Sequence, residues 1–164
     1  VGLMSRVLTV AECRVLDARA VAAGVPSLLL MEHAALGLAR VVRQVGGADA
    51  SVTVLVGKGN NGGDGLALAR LISASGGFAR CLTLYDAGGW ASVLEGDCRV
   101  QHGAALAVGV SMETFSEGCS AERGGVVVDA MFGTGLKRAI PLELANAHHA
   151  VRKRNVGDRH PWLV

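Results

Sequence analysis

Short apolar runs and stretches of helical periodicity divide this chain into strands and helices. Three runs of high β propensity predict strands at Val52–Val56, Ala79–Tyr85 and Gly125–Asp129. The first run is apolar or β-branched throughout, which indicates a strand buried on both faces. Between the first two runs, the apolar positions of Gly65–Ser75 fall roughly on one side of a helix. The two strand starts are about 27 residues apart, which suits a parallel crossover through one helix.

Two helices are predicted before the first strand. Thr9 and Glu12 have the spacing of a capping box, which predicts a helix from Val10 to about Ala23. A second helix is predicted from an N-cap at Ser27, and Gly46–Gly47 ends it. Its apolar stripe comprises Leu30, Met31, Ala34, Leu38, Val41, Val42 and Val45. Because both helices need a surface to pack on, either the sheet or another subunit, we expect a homodimer that uses them.

The remaining segments complete the expected fold class. Trp90–Ala107 follows an imperfect helical pattern, and Gly109–Gly125 is polar and rich in glycine, so it is predicted to be mostly loop. The chain is predicted to be one α/β domain over residues 1–164. We expect a three-layer α/β/α, Rossmann-like domain with a mostly parallel sheet, preceded by two helices.

Composition narrows the class of protein. With 51% hydrophobic and 18% charged residues, the chain can build a packed core. A net charge of +2 and an aromatic content of 4% give no support to a nucleic-acid partner. No apolar run reaches the length of a membrane span, and early charges interrupt any signal-peptide core, so we expect a cytoplasmic protein with no membrane partner. Four widely spaced cysteines fit no metal or redox pattern and are predicted to be reduced thiols: Cys13, Cys81, Cys98 and Cys119.

A glycine-rich loop follows the first predicted strand. Gly57–Gly65 reads GKGNNGGDG, with five glycines in nine positions. Because they have no Cβ, these glycines can take positive φ and let a ligand reach the main chain, beside the free amides of the following helix. The pattern G-x-G-x-x-G is a weak signal alone, but Asn60, Asn61 and Asp64 add oxygen ligands that a simple phosphate loop does not need. The alternative is a sharp turn in which Asp64 is the helix N-cap.

Two motifs carry a resemblance to a known family. GNNGGDG after a buried strand, followed by DAMFGTGL at Asp129–Leu136, is similar to the NAD(P)H-hydrate epimerase family, the YjeF N-terminal domain. The opening segment Leu8–Ala35 also resembles the helical start of that family, so the likeness covers about residues 8 to 140. The resemblance implies epimerisation of the R and S forms of hydrated NADH or NADPH, a repair of nicotinamide cofactors.

The resemblance also implies the residues of the site. Potassium is the implied cofactor, with Asn61 and Asp129 as its ligands, which suits a hard cation. Asp129 and Lys137 are the candidates for proton transfer. The residues expected to contact the substrate are Asn60, Asn61, Gly62, Gly63, Asp64, Gly133, Thr134, Gly135, Leu136, Lys137, Arg138 and Ala139.

The chain departs from the family pattern in two places. His33 stands where the family usually has Asn, and is interpreted either as a polar group of the core or an interface, or as a contact to the glycine loop. After about Asn146 the sequence becomes basic, and the family's next buried strand, with its Asp and Pro-Ser-Gly turn, is absent between Leu142 and Val164.

This departure leads to expectations about the chain's end. The domain is predicted to be incomplete at its C-terminal end, with an open sheet edge beside the third strand and a basic tail over about residues 146–164. We expect the chain alone to be marginally stable or self-associating, with little epimerase activity. The adjacent His148 and His149 point about 100° apart on a helix, so they make a poor metal pair.

Two other functions remain open from the sequence. An ordinary NAD-dependent dehydrogenase is one, because Asp86 follows the second predicted strand, where such enzymes keep the acid that binds ribose hydroxyls. The chain is too short to add a substrate domain of that class. A non-catalytic module that binds a nucleotide or a partner protein is the other.

Overall fold

A parallel β-sheet forms the centre of the molecule. The computed structural model describes residues 7–83, 87–115, 125–137, 139–140, 142, 145–146, 148–149 and 162–163. The sheet has the strand order β3-β2-β1-β4-β5, and all its pairings are parallel. The strands are β1 Val52–Val56, β2 Ala79–Thr83, β3 Ser111–Thr114, β4 Val126–Ala130 and β5 Trp162–Leu163. The predicted α/β class and parallel sheet are confirmed.

Strand β1 lies in the middle of the sheet and is buried along its whole length. Val54 and Val56 point into the larger core, which the helices cover, and Leu55 points into a smaller cluster on the opposite face. Leu55 pairs with Asp129 of β4. The first predicted strand therefore neighbours the one that ends near Asp129, and the chain order of the strands reverses between β1 and β4.

The structure describes five helices: α1 Val10–Ala22, α2 Ser27–Gly46, α3 Asn60–Ala74, α4 Ala87–Ser92 and α5 Gly96–Ala107. Helical side chains contribute to the larger core, and among the described residues the smaller cluster contains none. The predicted capping box of α1 is present, since the Glu12 amide donates to Thr9 Oγ1 at 3.3 Å and the Thr9 amide donates to Glu12 Oε2 at 2.8 Å. Among the described helices, none has both the length and the apolar character to cross a membrane.

The prediction for α2 is only partly correct. Ser27 is the first helical residue rather than the N-cap, which is Pro26 and provides no side-chain hydrogen bond. The buried positions of the helix are Met31, Ala35, Ala39 and Val42. Val41 and Val45 of the predicted stripe are 38% and 44% exposed. Two alanines lie on the buried face. Their small side chains allow close packing of the helix, which the positions of the large apolar residues do not predict.

Two other segments differ from their predicted structure. Residues 111–114, predicted as loop, form the edge strand β3, which pairs with β2 from Arg80↔Ser111 to Thr83↔Thr114. Three of its four side chains are polar and none is buried, so it lacks the apolar run that predicts an inner strand. The single helix predicted over 90–107 is divided into α4 and α5, and Gly96 at the break has a φ of 52°. Leu84, Tyr85 and Asp86 lie outside the described residues.

The sheet edge beside β4 was predicted to be open, and this is wrong. The two-residue strand β5 pairs there, with Val127↔Trp162 and Val128↔Leu163 in register. The prediction failed because a further strand was expected only where the sequence has an apolar run. A strand of two residues is enough to pair with β4 at this edge. The other residues of the basic tail are outside the described part, apart from Asn146, His148 and His149.

A polar network joins three helices on the face that carries the larger core. Arg70 of α3 donates to both carboxylate oxygens of Glu32 in α2, at 2.6 and 2.5 Å. Gln101 of α5 is 2% exposed, donates to Glu32 Oε1 at 2.6 Å and accepts from Arg70 Nε at 3.2 Å. Each of the three side chains therefore binds the other two, which fixes how α2, α3 and α5 sit together.

We predict that Arg70→Ala lowers the free energy of unfolding by about 1–3 kcal/mol, because it leaves Glu32 and the buried Gln101 without their shared donor. The matched control is Arg43→Ala, which removes a bond to the exposed Ser75 hydroxyl at 3.2 Å and should change stability by less than about 0.5 kcal/mol. Urea unfolding followed by circular dichroism measures both variants. Equal losses would show that the network adds nothing beyond a surface contact.

Candidate functional site

A cavity of about 900 Å³ opens where β1 and β4 end. Its walls are residues 57–61 and 64 after β1, residues 131–137 after β4, and two side chains of α1, Arg14 and Asp17. Parallel sheets bind ligands at this edge, where the strand order reverses. The two motifs identified in the sequence therefore face each other across one opening.

Close packing explains two glycines of the loop, Gly57 and Gly62. The loop glycines do not use their capacity for positive φ, since the described glycines with positive φ are Gly24, Gly47, Gly76, Gly96 and Gly109. A Cβ on Gly57 would lie 1.9 Å from the Met131 carbonyl oxygen, and one on Gly62 would lie 1.8 Å from the Gly57 carbonyl oxygen. Neither carbonyl can move without disturbing the sheet or the loop, so these two positions accept only glycine.

Helix α3 begins earlier than predicted and so brings its first amides to the cavity. It starts at Asn60 with Gly59 as N-cap, instead of at Gly65. The alternative in which Asp64 caps the helix is wrong, because Asp64 lies in the second turn. The amides of the first turn have no partner within the helix, and together with the helix dipole they favour an anionic group at this place.

Asp129 is held at the end of β4 by two contacts. Its Oδ1 accepts from the Met131 amide at 3.0 Å, and its Oδ2 lies 3.0 Å from His148 Nε2. The side chain is 17% exposed and is not among the residues that line the cavity. Sequence reasoning considered His148 only as a metal ligand and missed this contact, since nothing in the spacing of the two residues signals it.

The second loop packs against the first and is tied to α1. A Cβ on Gly133 would lie 3.1 Å from Asn61 Cβ, so the two loops touch at this point. Arg14 Nη2 donates to the Thr134 carbonyl at 2.7 Å and lies 3.3 Å from Thr134 Oγ1. Helix α1 has no buried residue, so this bond fastens an otherwise exposed helix to the rim of the cavity.

Most of the predicted substrate residues lie around the cavity. Asn60, Asn61, Asp64 and residues 133–137 line it, and Gly62 and Gly63 pack beneath it. Ala139 is exposed and is not among the lining residues, and Arg138 lies outside the described residues. Sequence reasoning missed Arg14, Asp17, Lys58 and Phe132. The spacing of three between Arg14 and Asp17, which places both on one face of α1, was the available signal.

Charges of both signs surround the cavity. Arg14, Lys58 and Lys137 are its cationic side chains, and Asp17 and Asp64 are its carboxyls. Burial raises the pKa of Asp64 from 3.8 to about 6, and the negative charge of Asp17 adds to the rise. No hydrogen bond or ion pair from the described residues reaches the Asp64 carboxyl. Asp64 is therefore a half-buried acid whose environment favours the protonated form more than water does.

His33 takes no part in this site. Its side chain is exposed, so the interpretation as a core residue is wrong. The described residues offer it no hydrogen bond or ion pair, and the loop contact that sequence reasoning also considered is made by Met31. A Cβ on Gly63 would lie 2.8 Å from Met31 Sδ. Two residues correspond to about 200° around a helix, which places His33 on the opposite side from Met31.

Comparison with known proteins agrees with the two motifs. Residues 27–158 match the family described as YjeF-related protein N-terminus. An NAD(P)H-hydrate epimerase of Rhodopirellula baltica is 33% identical over 136 residues, which are 77% of this chain and 54% of that protein. A bifunctional NAD(P)H-hydrate repair enzyme of Thermofilum pendens is 38% identical over 84% of this chain and 26% of its own length. The chain thus spans about half of the first relative and a quarter of the second.

Two further comparisons extend the likeness. An NAD(P)H-hydrate epimerase of Limosilactobacillus reuteri is 30% identical over 94% of this chain and 71% of its own length. The crystal structure of a yeast protein superposes with a TM-score of 0.72 over 96% of this chain and 68% of the yeast chain, at 19% identity, which shows a shared fold. Because the family match extends over residues 27–158, the chain belongs to the family of YjeF-related protein N-terminal domains.

Proposed function

We propose that this domain interconverts the R and S forms of hydrated NADH or NADPH. The observation that carries the proposal is the single cavity that the GNNGGDG and DAMFGTGL loops form at the reversal of strand order. Relatives that are 33% and 30% identical to this chain are named NAD(P)H-hydrate epimerases. The cavity volume of about 900 Å³ lies in the upper part of the range for small-molecule sites, as a dinucleotide requires.

Groups on the two walls of the cavity suit two different parts of such a ligand. The first amides of α3, with Lys58 and Arg14 nearby, suit the pyrophosphate. Asn60 and Asn61 offer carboxamide donors and acceptors in the same turn, and residues 133–137 form the opposite wall. This division supports the substrate-binding role proposed for the two loops.

The reaction inverts one carbon and therefore needs proton transfer. Water adds to an enamine at the carbon beside the nitrogen, so the hydrated ring carries its hydroxyl next to the ring nitrogen. Of the two groups predicted to move the proton, Lys137 lines the cavity, while Asp129 lies behind it against His148. Asp129 is better placed to hold the second loop, through its bond to the Met131 amide.

Potassium is part of the proposal. Asn61 supplies a carboxamide oxygen and Asp129 a carboxylate, and such hard oxygen donors match this cation. Within the described residues, no group of three or more His, Cys, Asp or Glu side chains could hold a metal ion. Further oxygens must then come from the main chain, water or the ligand. The cation would share Asp129 Oδ2 with His148 or displace it.

Two accompanying expectations concern assembly and location. Helix α1 exposes Val10, Val15, Leu16 and Val21, each 47–50% accessible, which supports a homodimer through the leading helices. We also propose a cytoplasmic location, because a repair enzyme for nicotinamide cofactors would meet its substrate there. The dehydrogenase alternative gains no support from the relatives, whose names describe epimerases and repair enzymes.

The proposed function predicts binding of hydrated NADH and faster equilibration of its epimers. The separated S epimer is mixed with the chain, and proton NMR follows the epimer ratio while calorimetry measures binding. We expect saturable binding and an epimerisation rate that is low, because the family's Pro-Ser-Gly segment is absent, but still above the spontaneous rate. Binding without equilibration would favour the non-catalytic module, and a reduced-cofactor absorbance that changes with alcohols would favour the dehydrogenase.

We predict that Asp129→Asn keeps the fold but lowers hydrate binding or turnover at least about tenfold, roughly 1.4 kcal/mol. The amide still accepts from Met131 but loses the charge that a cation requires. Asp49→Asn is the control, because Asp49 is an exposed carboxyl just before β1, at the opposite end of the sheet. Calorimetry and the epimer assay compare both variants, and unchanged values for Asp129→Asn would remove Asp129 from the site.

We predict that Asn61→Ala weakens stabilisation by potassium, because the cation loses one carboxamide oxygen. The measurement is the difference in melting temperature between potassium chloride and tetramethylammonium chloride. Asn60→Ala removes the same group one residue earlier and should keep the difference. If Asn61→Ala keeps it too, Asn61 is not a ligand.

A further inference from the structure

We propose that Asp64 is the acid that protonates the departing hydroxyl of the hydrated nicotinamide, and that Asp17 of α1, whose side chain lines the same cavity, is its positioning residue. This inference rests on the proposed function. It assigns the proton transfer to a residue other than Asp129 and Lys137, the two candidates that the resemblance implied. It concerns groups from two elements: Asp64 comes from the second turn of α3, and Asp17 from a helix outside the parallel sheet.

Geometry selects Asp64 among the acids of the site. It lines the cavity beside Asn60 and Asn61, and no described side chain or amide neutralises it. Asp129 lies behind the cavity wall with both carboxylate oxygens engaged. A proton donor must reach the reacting atom, and of these two carboxyls Asp64 lines the cavity while Asp129 does not.

Helix α1 is held so that Asp17 faces the same opening. Arg14, three residues earlier on the same face, donates to the Thr134 carbonyl at 2.7 Å. This bond fastens α1 across the cavity to the second loop. Asp17 then adds a negative charge opposite Asp64, which favours the protonated form of Asp64 in addition to the effect of its burial.

The other groups around Asp64 do not provide the same effect. The Cys98 thiol of α5 lies nearby, and burial raises its pKa to about 11, so it is neutral in the working range. Arg14, Lys58 and Lys137 border the cavity and are cations, which oppose protonation. Asp17 is therefore the charge that favours the acid form.

The step balances in atoms and electrons. Asp64 gives its proton to the hydroxyl oxygen, the C–O bond breaks, and water leaves while the ring nitrogen's lone pair forms a C=N bond. Water then adds to the other face of that carbon, the C=N electron pair returns to nitrogen, and the released proton restores the Asp64 carboxyl through the cavity water. Nothing is consumed, as an epimerisation requires.

The test is the pH dependence of epimerisation by the 164-residue chain, with the spontaneous rate subtracted. Because the protonated acid is the active form, the rate should fall as pH rises through about 6, the pKa of Asp64. Asp64→Asn should lower the rate about 100-fold or more, and Asp64→Glu should restore part of it. Asp17→Asn should move the fall to lower pH, yet keep its midpoint above 3.8, since burial is the larger cause of the shift.

A second readout does not depend on activity. Carbon-13 NMR of the side-chain carboxyls should show Asp64 titrating near pH 6 in the unchanged chain and lower in Asp17→Asn. Asp49→Asn should change neither the rate profile nor this titration, and circular dichroism checks that each variant folds. If Asp64→Asn keeps the epimerisation rate, or if Asp17→Asn leaves the pH profile unchanged, the inference is wrong while the proposed function still stands. Absence of epimerisation by the unchanged chain overturns the proposed function and the inference with it.

Discussion

The contact between the loops after β1 and β4 is the constraint on which the site depends. The Gly57 amide donates to the Ala130 carbonyl at 3.1 Å, which continues the pairing of the two strands one residue beyond β1. The Met131 carbonyl then occupies the space where a Gly57 side chain would be, and the Gly57 carbonyl does the same at Gly62. Three main-chain segments meet without side chains between them. The cavity has a rigid floor for this reason.

Helix α3 connects the floor of the cavity to the hydrophobic core. Gly62, Gly63 and Gly65 lie in its first two turns, where each costs roughly 1 kcal/mol of helix stability relative to alanine. Their benefit is proximity: a Cβ on Gly65 would lie 2.6 Å from that of Ala130, so the helix can approach the sheet only without one. Its later turns bury Leu66 and Leu68 completely, which offsets part of the cost. The same helix thus presents main-chain groups at the cavity in its first turn and packs apolar side chains into the core in its later turns.

The chemistry of the cavity follows from partial burial at its edges. Asp64 is shielded enough to favour its protonated form, yet it still faces the opening. Helix α1 buries none of its own residues and contributes instead two charged side chains to the cavity wall, joined to the second loop through Arg14. An exposed helix fastened by one polar bond can therefore change the electrostatics of a site built on the sheet. Asp129, paired with His148, supports the loop from behind.

The sequence by itself determined the parts of this protein that depend on local order. The bounds of β1, the capping box of α1 and the two family motifs were all readable, because strand burial, helix capping and loop composition act within a few residues. Most of the residues predicted to contact the substrate lie around one cavity, and their role stays a prediction. Only the tertiary structure decided which face of α2 is buried, that residues 111–114 form a strand, and that Trp162–Leu163 covers the edge of β4. The tertiary structure also shows which atoms a side chain would meet at the glycines. It places Arg14, Asp17 and His148 at the site. These outcomes depend on which segments meet in space, and contacts across 120 residues, as between Arg14 and Thr134, leave no local pattern.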